Sequence, residues 1–227
     1  MRINRILFVA FIIAMAGYSC KEKGGKYIDQ GEIHYNIDYI GNFGGVPVEA
    51  LPQNLVVSFK KDKTLFEMIG FGKSGIMNLS NPDDNIFDTY FSLFTKRYYY
   101  AAESGEIFPG FEAMDGMVIK KTSKTSVICG YNCKNAEVYF PSDPKTIFNI
   151  WYTNEIKLKS PNAATPFNQI DGVMMDFFFI MGQSQLHFLA ETVYQKDIPD
   201  ETFARRDNFQ RVSREDIKKV MGTMLSL

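Results

Sequence analysis

Between Glu32 and Tyr39 the chain alternates without a break, Ile33, Tyr35, Ile37 and Tyr39 against Glu32, His34, Asn36 and Asp38. A period of two puts one set on each side of an extended chain, which no helix can do. The segment is a half-buried strand, and a strand must find partners. Short apolar runs recur at 55–60, 64–69, 97–101, 117–122, 136–140, 147–156, 172–181 and 185–194, separated by Gly, Pro, Asn or Asp. No ten-residue helical patterns intervene, so the runs predict a mainly β fold rather than a parallel α/β one. The expected architecture is a curved antiparallel sheet, an incomplete β-barrel with one or more helices packed in or over its open side.

Two segments read as helices. Ser213 can cap a C-terminal helix whose Ile217, Val220, Met221, Met224 and Leu225 share a face. A second candidate starts near Pro82, with Phe87, Tyr90, Phe91 and Phe94 at helical spacing, although so many aromatics also suit a strand.

The N-terminus carries a different signal. Arg2 and Arg5 precede an apolar run from Ile6 to Ala16, about half of the roughly 20 residues a bilayer core requires. Residues 1–19 are therefore expected to be a signal peptide rather than a membrane span. Cleavage before Cys20 would leave a thiol for lipid attachment, and the site resembles a bacterial lipobox. It departs from the usual pattern at Gly17 and Tyr18. Residues 20–29, with Lys21, Lys23 and Lys26, read as the lipidated cysteine and its tether, and residues 30–227 as one domain. Lys21 after the cysteine fits the family-level pattern for outer-membrane placement. The rival cut, after Ala16 in Ala14-Met15-Ala16, would release a soluble periplasmic protein.

Charge excludes one class of partner. Removing residues 1–19 leaves 23 basic against 26 acidic residues, a net charge of about −3, so there is no polycation for nucleic acid. The membrane partner is expected through the lipid.

Motifs for chemistry are weak. Gly70-Phe71-Gly72-Lys73-Ser74-Gly75 satisfies G-x-G-x-x-G, but no helical stripe follows it and Glu67 stands where a P-loop needs glycine. A glycine-rich turn between strands is expected instead. His34 and His187, the only histidines, sit on the polar sides of their strands, with no HExxH or CxxC pattern beside them. Neither a metal nor a cofactor is expected. The acids Asp83, Asp84, Glu112 and Asp115 read as turn or helix-start residues, and no G-x-S-x-G elbow occurs. The chain is read as not an enzyme, with a hydrolase that pairs two of these acids as the third alternative. Cys129 and Cys133 lie in an oxidising compartment, yet residues four apart on one strand are separated by about 13 Å. A disulfide would need a turn at 130–132, and two buried thiols are the alternative.

The feature that rises above background is apolar: 20 Phe, 12 Tyr and 11 Met. In 173–181 both faces are apolar, and Met174, Met175, Phe177, Phe178, Phe179 and Met181 are candidates for the wall of a pocket for lipid or another hydrophobic ligand. The alternative is a thick core under a curved sheet, with exposed loops such as 41–52 or 102–115 binding an envelope protein. A cavity of roughly 300 Å³ or more would favour the ligand, and a filled interior the scaffold.

Three stretches, Ile128 to Ala136, Ile150 to Ile156 and Ile170 to Met175, resemble a family of uncharacterised lipoproteins and periplasmic proteins of Bacteroides-type bacteria. Gly130, Tyr131, Cys133, Trp151, Tyr152, Thr153 and Glu155 match its signature. The resemblance implies a half-barrel like that of lipoprotein carriers of the outer-membrane localisation pathway, and no activity.

Overall fold

The computed structural model describes residues 27–41, 47–182 and 184–225, without the side chains of 223–225. The expected signal peptide, Cys20 and most of the tether lie outside them. The described chain forms one open, twelve-stranded sheet in the order β12-β6-β5-β4-β3-β2-β1-β11-β10-β9-β8-β7. Its strands are β1 (Gln30–Ile40), β2 (Asn54–Lys60), β3 (Lys63–Ile69), β4 (Gly75–Asn81), β5 (Ile86–Leu93), β6 (Lys96–Ala101), β7 (Val118–Ile128), β8 (Tyr131–Phe140), β9 (Asp143–Thr153), β10 (Val173–Met181), β11 (Ser184–Tyr194) and β12 (Gln210–Arg211). A single α-helix, α1 (Arg214–Leu225), follows. All ladders are antiparallel except the short β6–β12 pair. The mainly β half-barrel with a C-terminal helix is thus the observed fold.

β1 sits in the middle of the sheet. It pairs with β2 on one side and with β11 on the other, Ile37 opposite Phe188 and Asp38 opposite His187. The alternation read in 32–39 holds to the residue: Ile33, Tyr35 and Ile37 are buried, while their polar neighbours are more exposed. Each strand that curves around the bowl sends its alternate side chains into a common core.

A second, smaller core lies on the other face. Past Tyr194 the chain crosses that face of β3, β4 and β5, and its Ile198 and Phe203 bury Leu65, Leu79, Ile86 and Tyr90. Polar ties fasten this strap: Lys60 Nζ donates to the Ile198 carbonyl at 3.0 Å and Asn81 Nδ2 to the Phe203 carbonyl at 3.1 Å. β12 then runs along β6, and α1 turns into the bowl.

The strap explains the one correction to the expected elements. The helix candidate near Pro82 is β5, buried along nearly its whole length. Phe87 and Phe91 enter the main core and Tyr90 the second. With both faces buried, a strand loses its period of two, and the helical spacing of its aromatics is accidental. β4, which the apolar runs did not mark, completes the meander on the far side of the 70–75 turn, the expected glycine-rich link between strands. α1 begins where expected: the Asp216 amide donates to Ser213 Oγ at 3.1 Å, and Ile217 and Met221 are buried.

Candidate functional site

The inner wall of the bowl is made by Ile33 and Tyr35 of β1, Leu55, Val57 and Phe59 of β2, Phe66 and Met68 of β3, Phe177, Phe179 and Met181 of β10, and Phe188 of β11. Its aromatic rings interlock: Phe177 stacks on Phe188 with centroids 4.9 Å apart, and Tyr35 meets Phe177 edge-on at 5.6 Å. The Tyr35 hydroxyl donates to the Met174 carbonyl at 2.8 Å. Full burial drives the pKa of that phenol far up, so it stays a neutral donor.

Three pieces of the same chain occupy this bowl. The β6–β7 connection brings Phe108, Phe111 and Met114; the β9–β10 connection brings Phe167 and Ile170; α1 brings Ile217 and Met221. Phe111 packs on Phe179 with centroids 4.4 Å apart, and Phe167 leans on Phe177, Phe178 and Phe179. The first two pieces join through the Phe108 amide, which donates to the Ala164 carbonyl at 2.9 Å. Asn162, itself buried, donates to the carbonyls of Ile170 and Gly172. Gly110 has φ 101°, a conformation that favours glycine, and a Cβ there would meet Met221 Cε at 2.8 Å, so the tip of that side chain would have to shift.

Among the described residues, two apolar clefts lie between these pieces and the wall. One is lined by residues that include Val57, Phe59, Phe167, Met174 and Phe177, the other by Leu55, Met68, Ile76, Phe111, Met181 and Met221. Phe66 and Phe179 line both. Each encloses about 20 Å³, the scale of one water molecule. Neither cleft reaches the roughly 300 Å³ expected for a ligand site.

The six wall candidates separate accordingly. Met174, Phe177, Phe179 and Met181 border the clefts. Met175 and Phe178 border neither. The β9–β10 ladder shifts register between Met174 and Asp176 and ends at Asp176, and Phe178 stacks on Phe148 at 4.4 Å. The double-faced apolar run therefore combines a bowl lining with the filling of a seam where two strands part.

α1 is held by charge as well as by packing. Arg214 pairs with Glu106, donates to the Ile107 carbonyl at 3.0 Å and lies near Glu112; Lys218 reaches Glu112 at 3.1 Å. Burial alone would raise the Glu106 pKa, but the Glu103 amide, the Tyr100 hydroxyl and Arg214 together hold it below its ordinary value. Of the acids read as turn or loop residues, Glu112 thus acts as a tie, and Asp83 likewise to Lys63 at 3.2 Å.

The remaining candidates do not converge. β1 and β11 pair, but the register places His187 opposite Asp38 and His34 opposite Thr192. His187 lies between two carboxylates, Nε2 2.7 Å from Asp176 and Nδ1 3.4 Å from Asp38, while His34 meets Glu32 at 3.1 Å. Among the described residues no group of three or more His, Cys, Asp or Glu could hold a metal ion. Cys129 and Cys133 are not joined by a disulfide, and Cys129 Sγ donates to the Ala190 carbonyl at 3.2 Å. The turn falls on Cys129 and Gly130, both at positive φ, one residue earlier than a bridge was expected to need. Burial pushes the Cys133 thiol up to about 11.

No described helix is long and apolar enough to cross a membrane. No family model and no curated protein sequence matches the chain. Among solved structures the chain is similar to PNGF-II in two crystal forms: 18% identity and 86% of this chain in both, with TM-scores of 0.52 and 0.51. The match spans only 33% and 34% of PNGF-II, about a third of that protein's length. It also matches the Mycobacterium tuberculosis lipoprotein LppX at 8% identity, over 75% of this chain and 89% of LppX, with a TM-score of 0.33 that carries no argument. What stands of the resemblance drawn from the sequence is the half-barrel fold.

Proposed function

We propose that this protein is an envelope lipoprotein, tethered at Cys20, that serves as a β-scaffold and works through the surface it presents. The observation that supports this is the interior: the bowl is occupied by the chain's own Phe108, Phe111, Phe167, Ile217 and Met221, and each cleft has room for about one water molecule. A protein built to enclose a ligand of drug or lipid size keeps several hundred Å³ open for it. In this reading the chain performs no reaction.

A second reading, a carrier of a hydrophobic ligand, is favoured by the continuity of the two clefts through Phe66 and Phe179. An acyl chain would need those two rings to move aside and the joined clefts to widen well beyond their present size. Extraction of the purified protein followed by mass spectrometry separates the readings. The scaffold predicts no stoichiometric lipid and no binding of a fluorescent fatty acid. One lipid per chain would overturn it in favour of the carrier.

A further inference from the structure

Half of the ten large apolar side chains that stand exposed among the described residues lie at one end of the sheet: Ile40, Val48, Ile69, Phe71 and Phe94. The ladder registers bring them together. Ile40 ends β1, Ile69 and Phe71 form the β3–β4 tip, and Phe94 forms the β5–β6 tip. Ser92 Oγ donates to the Lys73 carbonyl at 2.7 Å and the Phe94 amide to Ser74 Oγ at 3.1 Å, so the two tips are one rigid unit. The loop bearing Val48 lies against them, since a Cβ on Gly70 would stand 3.0 Å from the Pro52 nitrogen.

Two facts show that folding does not account for these aromatics. Phe71 is 81% and Phe94 71% exposed, so neither contributes core burial. Phe94 also holds φ 53° at the first position of a two-residue hairpin turn, where glycine is the residue that fits without strain. A bulky residue kept in a strained, solvated place points to a contact made elsewhere.

The charge around the rim names the contact. Lys73, Lys96 and Arg97 are exposed on the two tips that carry the phenylalanines, and neither tip carries an acid; the exposed acids Asp38 and Glu49 lie on the neighbouring strand end and loop, in a chain that as a whole is mildly acidic. Separate aromatic tips flanked by cations suit insertion among lipid headgroups, whereas a protein interface favours a continuous patch with a ring of occluding contacts. Leu55, Met68, Ile76 and Met181, which line the second cleft, are the next residues in from this rim. The opposite end of β1, toward the expected tether, is about 34 Å away at 3.4 Å per residue.

We propose that the Phe71–Phe94 rim docks on the surface of an anionic lipid bilayer, as a second membrane contact separate from the anchor at Cys20. The inference rests on the reading that the protein works through its surface, and names the partner.

The test uses the mature chain, residues 20–227, carrying Cys20→Ala, so that neither an acyl anchor nor the apolar 6–16 segment supplies attachment, with vesicles of phosphatidylcholine containing phosphatidylglycerol. The parent is expected to co-sediment with these vesicles, more weakly as salt rises, and more weakly with phosphatidylcholine alone. Phe71→Ser with Phe94→Asn should lower the bound fraction roughly tenfold or more. Thermal unfolding keeps the test sound, because Phe94→Asn relieves the turn and should leave Tm equal or higher. No binding by the parent, equal binding to neutral vesicles, or unchanged binding by the double variant overturns the proposal. Loss of a protein partner in the double variant, with vesicle binding intact, overturns it in favour of a protein contact. These outcomes are independent of whether lipid co-purifies inside the bowl, which decides the scaffold reading by itself.

Discussion

Arg205 closes on Asp88 from the strap, its Nε 2.7 Å and its Nη2 3.0 Å from the two carboxylate oxygens of a side chain with no exposed surface. The Tyr90 hydroxyl donates to the same carboxylate at 2.8 Å and accepts the Arg206 amide at 3.0 Å. This pair fastens the C-terminal strap to β5.

Removing the cation leaves Asp88 buried and poorly compensated. Arg205→Met is expected to cost about 2–4 kcal/mol, at or somewhat below the usual range for breaking a buried pair because Arg205 is itself half exposed. Urea unfolding checks it. Adding Asp88→Asn should recover much of the loss, and a pair of strictly additive effects would refute the coupling.

Acid should loosen α1 before it unfolds the sheet. Glu106 has its pKa lowered from the ordinary 4.5, so its contribution is complete above that value and is lost as pH falls below it. Proteolytic cleavage within 214–225 should therefore rise as pH drops from 5 toward 3, while β-sheet circular dichroism persists. Glu106→Gln should show raised cleavage already at pH 7 and a flatter acid profile.

Phe179 touches Phe111, Phe167, Phe177 and Phe188 and borders both clefts. Phe179→Ala is expected to cost about 3–5 kcal/mol and to merge the clefts. Phe66→Ala, at a half-buried position, should cost less while opening the same passage. Fatty-acid binding gained by either variant, read by fluorescence, would show that the two rings are the divider.

The thiols should separate by reactivity. Cys133 is buried with its pKa pushed up to about 11, which leaves little thiolate at pH 8, whereas Cys129 sits half-buried in the turn. Iodoacetamide followed by mass spectrometry should label Cys129 first, and both only after denaturation.

The sequence made the sheet legible wherever one face of a strand meets water. In 32–39 polar residues mark the outside, and the pattern predicts the strand and which of its faces is buried. It fails in 86–93, where the strap hides the outer face, and the information that hides it lies more than a hundred residues later at Ile198 and Phe203. The wall at 173–181 was legible as apolar but not as filled, because what fills it comes from Phe111, Phe167 and Met221, and no local pattern pairs those residues with β10. Arg205 and Asp88 were invisible for the same reason: a buried pair is defined by its partner, not by spacing. Phe94 carried a readable signal, a lone aromatic beside Thr95 in a tight link between two strands, that periodicity counting passes over.

The central pairing of β1 with β11 also sets a schedule. β2–β6 and β7–β11 are meanders whose strands meet neighbours close in sequence, but Ile37 meets Phe188 only after 150 further residues have been made. Loop closure over that distance is slow relative to hairpin formation. A nascent chain should hold two half-formed sheets for as long as β11 is missing. The last strand of the second meander, not the first turn of the helix, is the step that commits this polypeptide to its final shape.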